Sequence, residues 1–120
     1  MKIFIVEDNE YNIKLFRAML RHSKYTLSVF ENAEDLLVQL EKEQPDLILM
    51  DWGLPGMSGV EATEIIRNTE AWSHIPILII SAHAFGEERR IAQSAGATAY
   101  VTKPIDFPNF IKTVDSFCNS

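Results

Sequence analysis

The chain has 120 residues, 47% hydrophobic and 23% charged, with a formal net charge of −6. That length suits one domain with a real core, and so much apolar content beside mixed charges excludes a disordered chain. An acidic balance without a basic stripe argues against a nucleic-acid surface and fits a domain that binds protein partners in solution.

The apolar pattern alternates between short runs and longer amphipathic stretches. Residues 3–6 form the first run, nearly continuous, as a strand buried on both faces requires. It stops at Glu7-Asp8, too early for a secretory signal. Residues 10–22 follow as a helix with Ile13, Phe16 and Leu20 on one face. The run 25–30 alternates more, which places it at a sheet edge. Asn32 is the expected N-cap of a helix over 33–43 carrying Leu36, Leu37 and Leu40. Residues 47–50 form a third, continuous run. A loop rich in glycine and proline leads to Ser58, which with Glu61 matches a capping box for a helix over 59–69. The run 77–80 is a fourth buried strand. The stretch 85–95 has a thin apolar face of Phe85, Ile91, Ala92 and Ala95, and Gly96 ends it. A thinly packed helix is the easiest to move. Residues 99–101 make a fifth strand, and 107–118 a last helix after the N-cap Asp106, with Pro108 tolerable in the first turn.

Five β-α units with short connections predict a single α/β domain over 1–120, doubly wound around a five-stranded parallel sheet. No apolar run approaches the roughly 18 residues of a membrane span. The single cysteine, Cys118, has no internal disulfide partner and is expected to pack as a small hydrophobe. A reducing compartment fits, and the cytoplasm is the expected location. Met1 directly before the first strand favours a whole protein over an excised piece, and after residue 101 there is room for one helix and no output domain.

Asp51 ends the apolar run 47–50 and opens the loop Trp52-Gly53-Leu54-Pro55-Gly56-Met57-Ser58-Gly59. In open parallel sheets, ligands bind outside the carboxyl ends of the strands. If the first and third strands are neighbours, Glu7, Asp8 and Asp51 converge at one edge. Two ionised carboxylates about 4 Å apart repel by roughly 4 kcal/mol at an effective dielectric near 20. Such a cluster calls for a cation, and all-oxygen ligands favour a hard one such as Mg²⁺. Ser81 after the fourth strand, Tyr100 on the fifth, and Lys103-Pro104 after it complete the set. Glu7 or Asp8 would otherwise cap the first helix, Asp51 a loop, and Lys103 would be a solvated lysine.

The ordered set Val-Glu-Asp-Asn, Asp-Leu-Ile-Leu-Met-Asp-Trp-Gly-Leu-Pro-Gly-Met-Ser-Gly, Ile-Ser-Ala and Lys-Pro resembles a response-regulator receiver domain of two-component signalling, from residue 3 to 117. The nearest flavour is the single-domain regulators of the DivK type and the receivers of hybrid kinases. The resemblance implies the flavodoxin-like strand order 2-1-3-4-5. It implies Asp51 as the phosphoacceptor, and Mg²⁺ held by Asp8, Asp51 and the backbone carbonyl of Gly53, with Glu7 acting through a water. Lys103 and Ser81 would each meet a phosphoryl oxygen, and Lys103-Pro104 would be cis. Tyr100 would be the switch aromatic, turning inward as Ser81 shifts. Gly53 and His83, each two residues beyond a site residue, would tune hydrolysis.

The implied partners are a histidine kinase or histidine phosphotransfer protein, and a downstream protein bound through the 85–118 face, with neither nucleic acid nor membrane involved. The implied state is a monomer or weak dimer, a switch rather than an enzyme, although it supports its own Mg²⁺-dependent phosphoryl transfer and autodephosphorylation. Trp52 should report on the site. Trp72 reads as a surface or helix-end residue, and His22, His74 and His83 as ordinary surface or strand-end residues.

Rival readings fit less well. A flavodoxin would need a hydroxyl- and glycine-rich loop after the first strand, where Glu7-Asp8 would repel a phosphate. A haloacid-dehalogenase-type phosphatase typically places a second aspartate two residues after its nucleophile, the position of Gly53. An unphosphorylated docking scaffold would usually lack part of the acidic or lysine set, which is complete here.

Overall fold

Ten elements alternate along the chain in the computed structural model, which describes residues 1–21, 25–82 and 86–118. They are β1 (Lys2–Val6), α1 (Glu10–Leu20), β2 (Thr26–Phe30), α2 (Ala33–Leu40), β3 (Leu47–Asp51), α3 (Gly59–Arg67), β4 (Ile77–Ser81), α4 (Glu87–Ala95), β5 (Ala99–Thr102) and α5 (Phe107–Cys118). His22, His83 and Phe85 lie outside the described residues, as does the side chain of Cys118.

The strands form one parallel sheet in the order β2-β1-β3-β4-β5. The continuous apolar runs occupy its middle: all five residues of β3 and of β4 are buried, whereas β2 and β5 at the edges are only half-buried for most of their length. Because side chains alternate across a strand, each central run serves two cores. Phe4, Val6, Ile48, Met50, Ile77 and Ile79 face α2, α3 and α4. Ile3, Ile5, Leu47, Leu49, Leu78 and Ile80 meet Phe16, Met19 and Leu20 of α1 and Phe110 and Val114 of α5. Fully burying one such aliphatic side chain is worth about 1.5–3 kcal/mol, so a polar substitution at an apolar position of β3 or β4 costs the domain stability wherever it lies relative to the site.

Helix starts follow local chemistry. The side chains of Asn9, Asn32 and Ser58 accept from the N–H groups of Asn12, Asp35 and Glu61. Helices α1, α2 and α3 end at Leu20, Leu40 and Arg67, short of the sequence-based bounds, and Arg21, Glu41, Lys42 and Asn68 form turns instead.

Two expectations are corrected. Trp72 is 8% exposed and belongs to the core beside α3. The segment after α3 winds into successive turns, with the Trp72 N–H on Thr69 O and the Ile75 N–H on Trp72 O, which rolls the indole inward. Ile91, expected on the packed face of α4, is 42% exposed, and only Ala92 and Ala95 of that helix are buried. Helix α4 is therefore held more thinly than its sequence suggested.

Candidate functional site

The parallel register fixes where the acidic residues meet. Val6 pairs with Met50, so Glu7 and Asp51 lie next to each other at the carboxyl end of the sheet. The Glu7 N–H donates to Phe30 O and the Trp52 N–H to Ile80 O, which carries the ladder one residue beyond the strands. Asn9, not Asp8, supplies the cap of α1, so Asp8 is left exposed at the sheet edge. Glu7, Asp8 and Asp51 each offer a carboxylate oxygen within 4.8 Å of the others.

Burial sharpens the cluster. Glu7 is 1% and Asp51 8% exposed. Burial pushes the Glu7 carboxyl above its ordinary range, and the Asp51 charge adds to that. The Asn9 N–H and the Lys103 ammonium pull it back. Glu7 Oε2 accepts from that N–H at 3.2 Å, whereas the buried Oε1 has no hydrogen bond. An unsatisfied buried carboxylate oxygen is costly. Orphaned and facing two further carboxylates, it fits the donor set of a hard divalent cation.

The cation that the described residues do supply is Lys103. Its Nζ lies 3.0 Å from Asp51 Oδ1 and 3.7 Å from Glu7 Oε1. The Lys103 N–H donates to Ser81 O, so the end of β4 sets the backbone from which the lysine reaches back. The Lys103-Pro104 bond is cis. Ser81 is the last residue of β4 rather than the first after it, and is 2% exposed. Its hydroxyl contacts Glu88 Oε2 at 3.4 Å.

The approach to Asp51 is open on the Gly53 side, where an added Cβ would sit 3.8 Å from Asp51 Oδ2 in ordinary contact. Gly59 is different: a Cβ there would stand 2.5 Å from Asp51 O and 2.9 Å from Met50 Cγ. Glycine at the start of α3 lets that helix sit directly on the end of β3. Trp52 is half-buried and packs edge-on to Tyr100 with ring centroids 6.4 Å apart, and the Arg89 guanidinium lies 5.5 Å above the Tyr100 ring. A chain of aromatic and cationic contacts thus runs from Asp51's neighbour through β5 to α4.

Sequence reasoning missed two residues. Arg67 donates to Gly96 O, Ser73 O, Ile75 O and Thr98 Oγ1, tying α3 to the end of α4 and the starts of β4 and β5. Glu88 touches Ser81. Neither lies in a recognisable pattern, since each acts on partners distant in sequence or across a turn.

A family model described as the response regulator receiver domain matches residues 3–115. The polar-differentiation response regulator DivK of Brucella anthropi is 42% identical over 116 residues, which cover 96% of this chain and 94% of that protein. Among solved structures, the receiver domain of a sensor histidine kinase from Pseudomonas aeruginosa PAO1 superposes with a TM-score of 0.90 at 30% identity, covering 99% of this chain and 98% of that one. That domain has a magnesium ion coordinated in its active-site cleft. A response regulator of Chloroflexus aurantiacus shares the fold, with a TM-score of 0.94 at 24% identity over 99% and 98% of the two chains. Together with the carboxylate cluster at the sheet edge, these likenesses show that the chain belongs to the response regulator receiver domains of two-component signalling.

Proposed function

We propose that the chain is a phosphoacceptor switch that takes a phosphoryl group onto Asp51. The carrying observation is the Glu7-Asp8-Asp51 cluster with the Lys103 ammonium 3.0 Å from Asp51 Oδ1. In this reading one Asp51 oxygen attacks phosphorus and the bond from phosphorus to the donor breaks. With a phosphohistidine donor the electron pair returns to the imidazole nitrogen, which takes a proton, and the product is an acyl phosphate. Little covalent work is asked of the protein, so positioning and electrostatics carry the step.

Lys103 moves from Asp51 Oδ1 to a phosphoryl oxygen, and the Ser81 hydroxyl donates to another. Asp8 and Asp51 would hold Mg²⁺ directly with the Gly53 carbonyl, and Glu7 through a water. When bound, the ion neutralises the crowded carboxylates and accepts a phosphoryl oxygen. Gly53 leaves the water side of Asp51 unscreened, and with His83 it tunes the lifetime of the phosphorylated form.

The donor is a histidine kinase or histidine phosphotransfer protein. The output is a protein bound at the face of α4, β5 and α5, reached as Tyr100 turns inward and thinly held α4 shifts. The phosphoryl group can drive this only through contacts that differ between the two states. Incubation with acetyl phosphate and Mg²⁺, followed by intact mass, tests the proposal. One phosphoryl mass should appear on the wild type and none on Asp51→Asn. Equal labelling of the variant would overturn it. A docking scaffold would take no label at all.

A further inference from the structure

The hydroxyl needed for the phosphoryl group is already engaged. Ser81 Oγ lies 3.4 Å from Glu88 Oε2 in the first turn of α4. A hydroxyl has one proton to donate, so Ser81 cannot serve Glu88 and a phosphoryl oxygen on Asp51 together. Asp51 pairs with Ile80, the residue before Ser81, so the two acceptors compete for a donor at the same sheet edge.

We propose that Glu88 is a positioning residue that holds the Ser81 hydroxyl in the resting protein and ties the first turn of α4 to the site. This rests on the reading of Asp51 as phosphoacceptor. Two effects release the tie, and they act in the same direction. The phosphoryl oxygen takes the Ser81 proton, and its negative charge repels the half-buried Glu88 carboxylate. The turn is lightly anchored to begin with. Gly86 offers no side-chain cap, and the Arg90 N–H on Gly86 O is an early hydrogen bond of the helix. Only Ala92 and Ala95 fix the helix to the core. Losing the Glu88 contact is therefore a direct route from the chemistry to the motion of α4, parallel to the Trp52–Tyr100–Arg89 chain.

A 3.4 Å contact is long for an O–H donor, so the tie is worth about threefold to tenfold in an equilibrium, the range of an ordinary hydrogen bond rather than the larger one of a close charged acceptor. Double-mutant cycles with Glu88→Ala and Ser81→Ala measure it. In the first arm, without metal or phosphodonor, hydrogen exchange is followed at the Arg90 amide and its neighbours. Glu88→Ala should speed exchange at least threefold more when Ser81 is present than in the Ser81→Ala background. In the second, beryllofluoride with Mg²⁺ mimics the phosphoryl group, and Glu88→Ala should tighten its binding by a similar excess in the Ser81 background. Loss of the Glu88 charge alone acts in both backgrounds and cancels in the cycle. Equal fold-changes in the two backgrounds in the exchange arm overturn the proposal. If the wild type binds no beryllofluoride, the Asp51 reading fails, while the exchange arm still decides whether Glu88 holds Ser81.

Discussion

Removing the Lys103 charge is the most direct test of the electrostatics. Lys103→Met keeps most of the stem and deletes the ammonium. At an effective dielectric near 20, its attraction to Asp51 at 3.0 Å and to Glu7 at 3.7 Å is about 5.5 and about 4.5 kcal/mol. Those gross terms are reduced by the cost of desolvating the lysine, whose side chain is still 26% exposed. Breaking a buried pair by deleting one partner costs 3–5 kcal/mol, and partial exposure brings the expected loss to about 2–3 kcal/mol. For a domain of this size that is roughly 6–12 °C in melting temperature.

The pH dependence carries a sign. Burial already raises the Glu7 pKa in the folded state, so the folded protein binds more protons than the unfolded chain, and stability falls as pH rises through the window above 4.5. Without the ammonium this shift grows. The gap between variant and wild type should then be widest near pH 7.5 and close as the pH falls toward 4.5. Mg²⁺ should narrow it too, since a saturating ligand stabilises the variant by RT ln(1 + [L]/Kd) with no ammonium competing for the site. Thermal melts at pH 5 and 7.5, each with Mg²⁺ or EDTA, measure all of this. A gap independent of both pH and Mg²⁺ would refute the account of a crowded carboxylate cluster neutralised by Lys103.

Other outcomes follow from the same geometry. Mg²⁺ should change Trp52 emission, because the indole adjoins Asp51, and Asp8→Asn should weaken that response strongly in a fluorescence titration. Gly59→Ala should destabilise by about 1–3 kcal/mol in denaturant melts and slow labelling of Asp51, since its Cβ would push on the Asp51 carbonyl. Arg67→Ala should cost about 2–4 kcal/mol, because four acceptors in three segments lose one guanidinium. Its exchange signature should be concentrated at residues 73–77 and 96–98 rather than at the phosphoacceptor loop.

The architecture was legible in the sequence because burial on both faces leaves a continuous apolar run, and the three runs 3–6, 47–50 and 77–80 became the three central strands. Helix starts were legible at Asn32 and Ser58, since a cap is a local hydrogen bond. The carboxylates and the lysine could be named because each stands at the end of a strand or within two residues after it. Their distances could not, since 3.0 Å between Lys103 and Asp51 depends on the register of β3, β4 and β5 and on the path after Thr102. Which residue caps α1, and hence that Asp8 is free of that duty, also waited for the backbone. Trp72 and Ile91 were misplaced because side-chain direction in a chain of turns, or on a thinly apolar helix, is set by neighbouring elements rather than by sequence period. The contact of Ser81 with Glu88 was invisible for the same reason. Sequence determines which groups stand at the ends of strands, and only the packing of α4 against the sheet decides which of them touch.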